Sequence, residues 1–155
     1  MRNEIDDITI RPARAADIPA LCGLLEELFA LEGAFSPDLE KQVRGLSMLI
    51  NDASGASIVL VAEGGGQVLG MASVQSLVST AEGGRVGLVE DVVVDNRYRQ
   101  KGIGRGLLDA AERWARERRL RRLQLLADSG NSAALRFYEC TGWLPTGMVC
   151  LRKMI

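Results

Sequence analysis

The stretch Gly87–Leu108, GLVEDVVVDNRYRQKGIGRGLL, constrains the fold more than any other part of the chain. A β-branched run from Val89 to Val94, interrupted only by Glu90 and Asp91, gives way to a polar, arginine-bearing turn and then to a helix whose first residues include Gly102, Gly104 and Gly106. Strand, loop and glycine-rich helix start, in that order, predict an anion site, because a helix N-terminus exposes about four unpaired backbone N–H groups and roughly half a positive charge. Glycine at 102 and 104 removes the Cβ atoms that would hold a phosphate oxygen away, while Arg97, Arg99, Lys101 and Arg105 add cationic charge. The pattern reads as a pyrophosphate cradle; the plainer alternative is a glycine-tolerant turn before an amphipathic helix. No P-loop string G-x-x-x-x-G-K-[ST] occurs. The R-x-x-G-x-G spacing of Arg99, Gly102 and Gly104, set after the polar turn Asp95–Lys101, also departs from the dinucleotide fingerprint.

Residue types narrow the chemistry further. The chain has no histidine, which excludes a Ser-His-Asp triad, a Cys-His pair and every His-ligated metal site. Cys22, Cys140 and Cys150 are odd in number and never in C-x-x-C spacing, so they indicate neither a zinc site nor a disulfide framework and are expected to be mostly buried thiols; no metal is expected. Balanced charge, 19 basic against 20 acidic side chains, argues against a nucleic-acid partner. Six arginines between Arg113 and Arg122 could contact RNA, but they read better as a solvated face at a helix C-terminus. The start, MRNEIDDITIRP, lacks an apolar core of signal-peptide length, and no run approaches about 18 apolar residues, so no membrane association and a cytoplasmic location are expected. At 155 residues one domain spanning 1–155 is expected.

Taken in order, the chain predicts a strand over 8–11, then a helix capped by Asp17 with Pro19 in its first turn and Ile18, Leu21, Leu25 and Leu28 on one face. A second helix over 38–51 follows a loop carrying Glu32, Phe35 and Asp38. Strands over 57–63 and 68–78 flank a tight turn, and Gly83-Gly84 turns the chain into the strand ending at Asp95. The helix over 102–119 carries an apolar stripe of Ile103, Leu107, Leu108, Ala111 and Ala115, and Trp114 is expected to pack on the sheet or partly cover a surface. A strand over 123–127, a helix over 131–141 and closing strands at Trp143 and 148–154 complete a mixed α/β sheet with helices on both faces.

A second motif is NSAALRFYECTGW, Asn131–Trp143. Asn131 can cap its helix, Ala133 and Ala134 keep the first turn slim, and Phe137 and Tyr138 follow one turn later. With both motifs in view the chain resembles the GCN5-related N-acetyltransferase superfamily. Arg99-x-x-Gly102-x-Gly104 is similar to its acetyl-CoA pyrophosphate turn, and Asn131-x-x-Ala134-x-x-Phe137-Tyr138 with Gly142-Trp143 is similar to its second conserved region. The segment VEDVVVDNRYRQKGIG is also similar to the corresponding part of glucosamine-6-phosphate N-acetyltransferases.

The resemblance implies a mixed, mostly antiparallel sheet with a splayed parallel strand pair, and an acetyl-CoA-dependent N-acetyltransferase working by direct transfer in a ternary complex. It implies an acetyl-CoA site made by Val92, Val93 and Val94, by Arg99, Gln100, Lys101, Gly102, Ile103, Gly104 and Arg105, and by Asn131, Ala134 and Tyr138. Backbone near Val92 would support the thioester oxygen, and Tyr138 would return a proton to the leaving thiolate. Glu90 shares strand parity with Val86, Leu88, Val92 and Val94 and is the expected base; a bulge would exchange its role with that of Asp91. The implied acceptor is a small-molecule or peptide amine; Glu32 and Asp38 either attract it or face solvent as loop acids, and the family's pairing through late strands allows a homodimer. The rival class is a non-catalytic acyl-CoA-binding regulatory domain using the same cradle.

Overall fold

A computed structural model describes residues 7–33 and 35–155. The chain divides into two compact units, Met1–Leu125 and Leu126–Ile155. The first contains strands β1 (Thr9–Pro12), β2 (Ser57–Gly64), β3 (Gln67–Ser79), β4 (Gly84–Val94) and β5 (Leu123–Leu125), with helices α1 (Ile18–Glu32), α2 (Leu39–Ile50) and α3 (Ile103–Glu117). The strands lie in sequence order in one sheet; β1 to β4 are antiparallel neighbours, and β5 runs parallel to β4. That is the mixed, mostly antiparallel sheet expected.

Two apolar layers hold this sheet. On one face Leu21, Leu24 and Leu25 of α1 and Leu46 of α2 pack with Val59, Val61, Met71 and Val93. On the other, α3 buries Ile103, Leu107, Leu108, Ala111, Trp114 and Ala115, as its stripe predicts. The approach of α3 is close at Gly70, where a Cβ would lie 3.2 Å from Leu107 and 3.0 Å from the Val93 carbonyl oxygen. A methyl there would push back the helix that carries the cradle.

Several local expectations need correction. Asp17 precedes α1, but its side chain does not cap that helix. Its carboxylate instead takes two hydrogen bonds from Arg11, 2.8 and 3.0 Å, and one from the Arg14 N–H. Asp38 caps α2, accepting from the Lys41 N–H at 3.1 Å, a structural use of an acid read as either an acceptor contact or a solvent-facing loop residue. Strand β5 stops at Leu125, two residues short of the expectation.

The second unit consists of helix α4 (Ser132–Cys140) and an irregular tail. Asn131 caps α4 by accepting from the Ala134 N–H at 3.0 Å. The predicted strands at Trp143 and 148–154 are not formed: residues 143–155 contain no strand, and Leu144, Met148, Val149 and Leu151 are exposed. Strands need ladder partners, and alternating hydrophobicity does not supply one. Cys22 is buried as expected, whereas Cys140 and Cys150 are exposed, contrary to the expectation of mostly buried thiols. No described helix is long and apolar enough to cross a membrane.

Candidate active site

The first unit brings strand end, turn and helix start together as the sequence implies. Asp95 closes β4 and takes the Arg97 N–H at 2.9 Å and the Arg97 guanidinium at 2.7 Å, which holds its carboxyl below the usual carboxylate range. Glu27 of α1 reaches the same turn, accepting from the Asn96 N–H at 3.3 Å and lying 3.8 Å from the Arg99 guanidinium. Gln100 adopts φ 61° and Gly102 φ 80°, two left-handed residues around Lys101. Such alternation turns successive N–H groups toward one concavity, a known anion-binding arrangement. A left-handed Gln is an uncommon and strained backbone conformation.

Gly102 is the N-cap of α3, and no side chain caps the helix. The N–H groups of Ile103, Gly104 and Arg105 therefore lack both an intrahelical and a side-chain acceptor. A Cβ at Gly102 would meet nothing within 4 Å, so inside the protein it is the positive φ that requires glycine. Arg97 and Arg99 are committed to Asp95 and Glu27. Lys101 lies 5.2 Å from the centre of the Tyr98 ring, and among the described residues neither it nor Arg105 has a carboxylate partner. The cradle thus offers backbone donors and two cations to an anion.

Beside the cradle, β4 presents an open backbone edge. The Asp95 N–H bonds to the Leu69 carbonyl at 2.9 Å, and the register continues as Gly70↔Val94, Met71↔Val93 and Ala72↔Val92. Antiparallel pairs alternate between bonded and non-bonded, so Val93 spends its N–H and C=O on β3, whereas Val92 and Val94 direct theirs away from it. Strand β5 pairs with β4 only from Gly87 to Val89. Within this unit the strand pair parts before Val92, leaving the edge that strand-like addition of an amide-bearing ligand needs. The Val94 carbonyl meanwhile accepts from Arg99 Nε at 3.0 Å.

The largest departure from a regular strand lies just before this edge. Ala72 pairs with Val92 and Val74 with Val89, so Ser73 alone faces both Glu90 and Asp91: β4 carries a bulge. The extra residue reverses the face parity, and Val86 and Leu88 no longer share a face with Val92 and Val94. Glu90 is exposed, and Asp91 turns inward onto the α1–α2 face, where Ser73 Oγ bonds to its Oδ2 at 3.1 Å. Burial raises the Asp91 carboxyl to about 6, with like charge from Glu90 and Glu32 adding to the rise and the Ser73 hydrogen bond opposing it.

In the second unit, Tyr138 is half-buried among aromatics, 5.3 Å from the Phe137 ring and 6.1 Å from Trp143. The arginine cluster is exposed, and half of it is engaged: Arg116 pairs with Glu112 at 2.6 Å, Arg122 with Glu82 at 3.3 Å, and Arg118 covers the buried Trp114 ring at 4.5 Å. Among the described residues, no group of three or more acidic, cysteine or histidine side chains could hold a metal ion. Sequence reasoning overlooked Glu27, whose role depends on a contact 69 residues away, and Ser73. A lone hydroxyl inside the apolar strand GMASV was the one available signal for the latter.

A mixed sheet, a parting strand pair and an uncapped glycine helix start make up the first unit's candidate site. Residues 24–143 match the acetyltransferase (GNAT) family, and the chain belongs to that family, whose members are N-acetyltransferases. It is 31% identical over 118 residues to the aminoglycoside N(6′)-acetyltransferase type 1 of Stenotrophomonas maltophilia, covering 74% of this chain and 72% of that protein. A transcriptional regulator from Bacillus halodurans C-125 superposes with TM-score 0.83 at 25% identity, over 96% of this chain and all of the other. The aminoglycoside N-acetyltransferase AAC(6′)-Iy in complex with CoA superposes with TM-score 0.81 at 16% identity, over 96% and 95% of the two chains, a likeness of fold alone.

Proposed function

We propose that the protein transfers an acetyl group from acetyl-CoA to a primary amine of a polycationic amino sugar, by direct attack in a ternary complex. The observation that carries this reading is the Asp91 carboxyl, half-buried in the bulge next to the open backbone of Val92 and Val94. The residues fit acetyl-CoA: the cradle at 100–105 suits a diphosphate, Val92 and Val94 suit the pantetheine amides, and the Val92 N–H suits the thioester oxygen as charge grows on it. Bound there, the thioester supplies the activated acyl carbon.

The protein's part is proton handling. An alkylammonium of pKa about 10.4 must lose a proton before it can attack. Asp91, raised from 3.8 to about 6, is a better base than an ordinary aspartate yet stays ionised above neutral pH. The two-unit rise narrows the proton-transfer gap by about 3 kcal/mol. Asp91 thus takes the place expected for Glu90, whose exposed carboxylate contributes like charge. Tyr138 returns a proton to the leaving thiolate; a phenol ordinarily titrates near 10 and a thiol near 8.5, so such a transfer is only a small uphill step. Glu32, also acidic and acting on Asp91, favours a cationic acceptor. The aminoglycoside acetyltransferase relative supports an amino sugar as that acceptor. The whole chain acts as one acetyltransferase domain in the cytoplasm.

The test is release of free CoA thiol from acetyl-CoA across a panel of amines that includes neamine, glucosamine 6-phosphate and a peptide N-terminus. Turnover with neamine above the others supports the proposal. Tight CoA binding with no thiol released from any amine overturns it in favour of a regulatory acyl-CoA-binding domain.

A further inference from the structure

We propose that Ser73 is a positioning residue for Asp91, its hydroxyl gripping both the main chain and the carboxylate of that residue inside the β4 bulge. This inference rests on the reading of Asp91 as the base.

A bulge opposes two residues to one and leaves a backbone group of the longer strand without its ladder partner. Here the Asp91 N–H is bonded by Ser73 Oγ at 3.2 Å, and the same oxygen lies 3.1 Å from Asp91 Oδ2. A hydroxyl has one proton. Accepting from the N–H, it must donate that proton to the carboxylate, so its orientation is determined. Ser73 is completely buried, so water cannot take over either bond. A serine inside the apolar stretch Val68–Val74 of β3 therefore closes the hydrogen bonding of the bulge and fixes the side chain that the bulge has turned inward.

The two bonds have different consequences. The bond to the N–H stabilises the bulge, and with it the face on which Asp91 stands. The bond to Oδ2 favours the ionised carboxylate against burial and against the two like charges that act on it, Glu90 on its own strand and Glu32 at the end of α1. Ser73 in this way limits how far Asp91 rises and keeps it a base at neutral pH.

The experiment compares Ser73→Ala and Ser73→Thr with the unmodified protein by two readouts. One is the titration of the Asp91 carboxyl carbon, followed by carbon-13 NMR of aspartate-labelled protein and assigned with Asp91→Asn. The other is the acidic limb of kcat/KM for acetylation of neamine. Losing one hydrogen bond to a carboxylate should raise the Asp91 titration by about one unit in Ser73→Ala, with the acidic limb moving by the same amount and activity at pH 6 falling several-fold. Thr, which keeps the hydroxyl, should restore both. An unchanged carbon titration in a folded Ser73→Ala protein overturns the proposal. Should the titration move while the acidic limb stays in place, the hydrogen bond stands but Asp91 is not the base, which overturns the positioning role and the reading beneath it together. If Ser73→Ala fails to fold, Ser73→Cys supplies the same test with a weaker donor, and no movement there refutes the inference.

Discussion

Replacing Asp91 with Asn should make the protein more stable and less active at once. The carboxyl lies about two units above its ordinary 3.8, so at neutral pH the folded state holds a charge that the unfolded chain holds more easily. At 1.36 kcal/mol per unit the penalty is about 3 kcal/mol at most, and about 2 kcal/mol once water at a half-buried site is allowed for. The sign follows from the raised value: the group's contribution to stability is complete below about 3.8 and is lost as pH rises through about 6. Asn removes the charge, keeps an oxygen for the Ser73 hydroxyl, and presents an amide to a site that Glu90 and Glu32 make negative. Urea unfolding followed by circular dichroism at pH 4, 5, 6 and 7.5 measures the difference. At pH 7.5 the variant midpoint should lie roughly 1 M higher, and at pH 4 the two proteins should nearly coincide. Turnover should fall about a hundredfold or more, the usual loss on removing a general base. A stability difference that does not change between pH 4 and pH 7.5 would refute the reasoning.

Other substitutions probe the remaining parts. Glu90→Gln should cost less than about fivefold in kcat and shift the acidic limb downward, since a like charge near Asp91 is removed; a loss as large as that of Asp91→Asn in a pH–rate profile would return the base to Glu90. Gly102→Val forces a β-branched residue to φ 80° and should weaken CoA binding at least tenfold by calorimetry, with little change in the packing of α3; unchanged affinity would detach the cradle from the coenzyme. Tyr138→Phe should lower kcat tenfold to a thousandfold while the dissociation constant for acetyl-CoA stays within about twofold, and equal loss of both would reject the acid role.

What the sequence made legible was whatever depends on neighbours along the chain. The α3 stripe from Ile103 to Ala115, the Asn131 cap and the turn at Gly83-Gly84 are set by spacings of one to four residues, and each is found where it was expected. The bulge was not legible, because VEDVVV reads as a strand with either parity; what decides is the register against β3, which no local pattern encodes. Asp17 illustrates the same limit: beside a helix start it looks like a cap, but Arg11, itself held by Glu63 across the sheet, takes it first. The apolar residues of the tail suggested strands, and strands also require a partner edge.

The cradle is the claim on which everything else rests, and its most direct test is titration of nitrogen-15-labelled protein with CoA, followed by backbone amide shifts. The account predicts saturable shifts at Lys101, Gly102, Ile103, Gly104 and Arg105, together with Val92 and Val94, whose N–H groups face the open edge, and much smaller ones at Val93, whose groups belong to β3. Shifts confined to other parts of the chain, or no saturable shift at millimolar CoA, would contradict it.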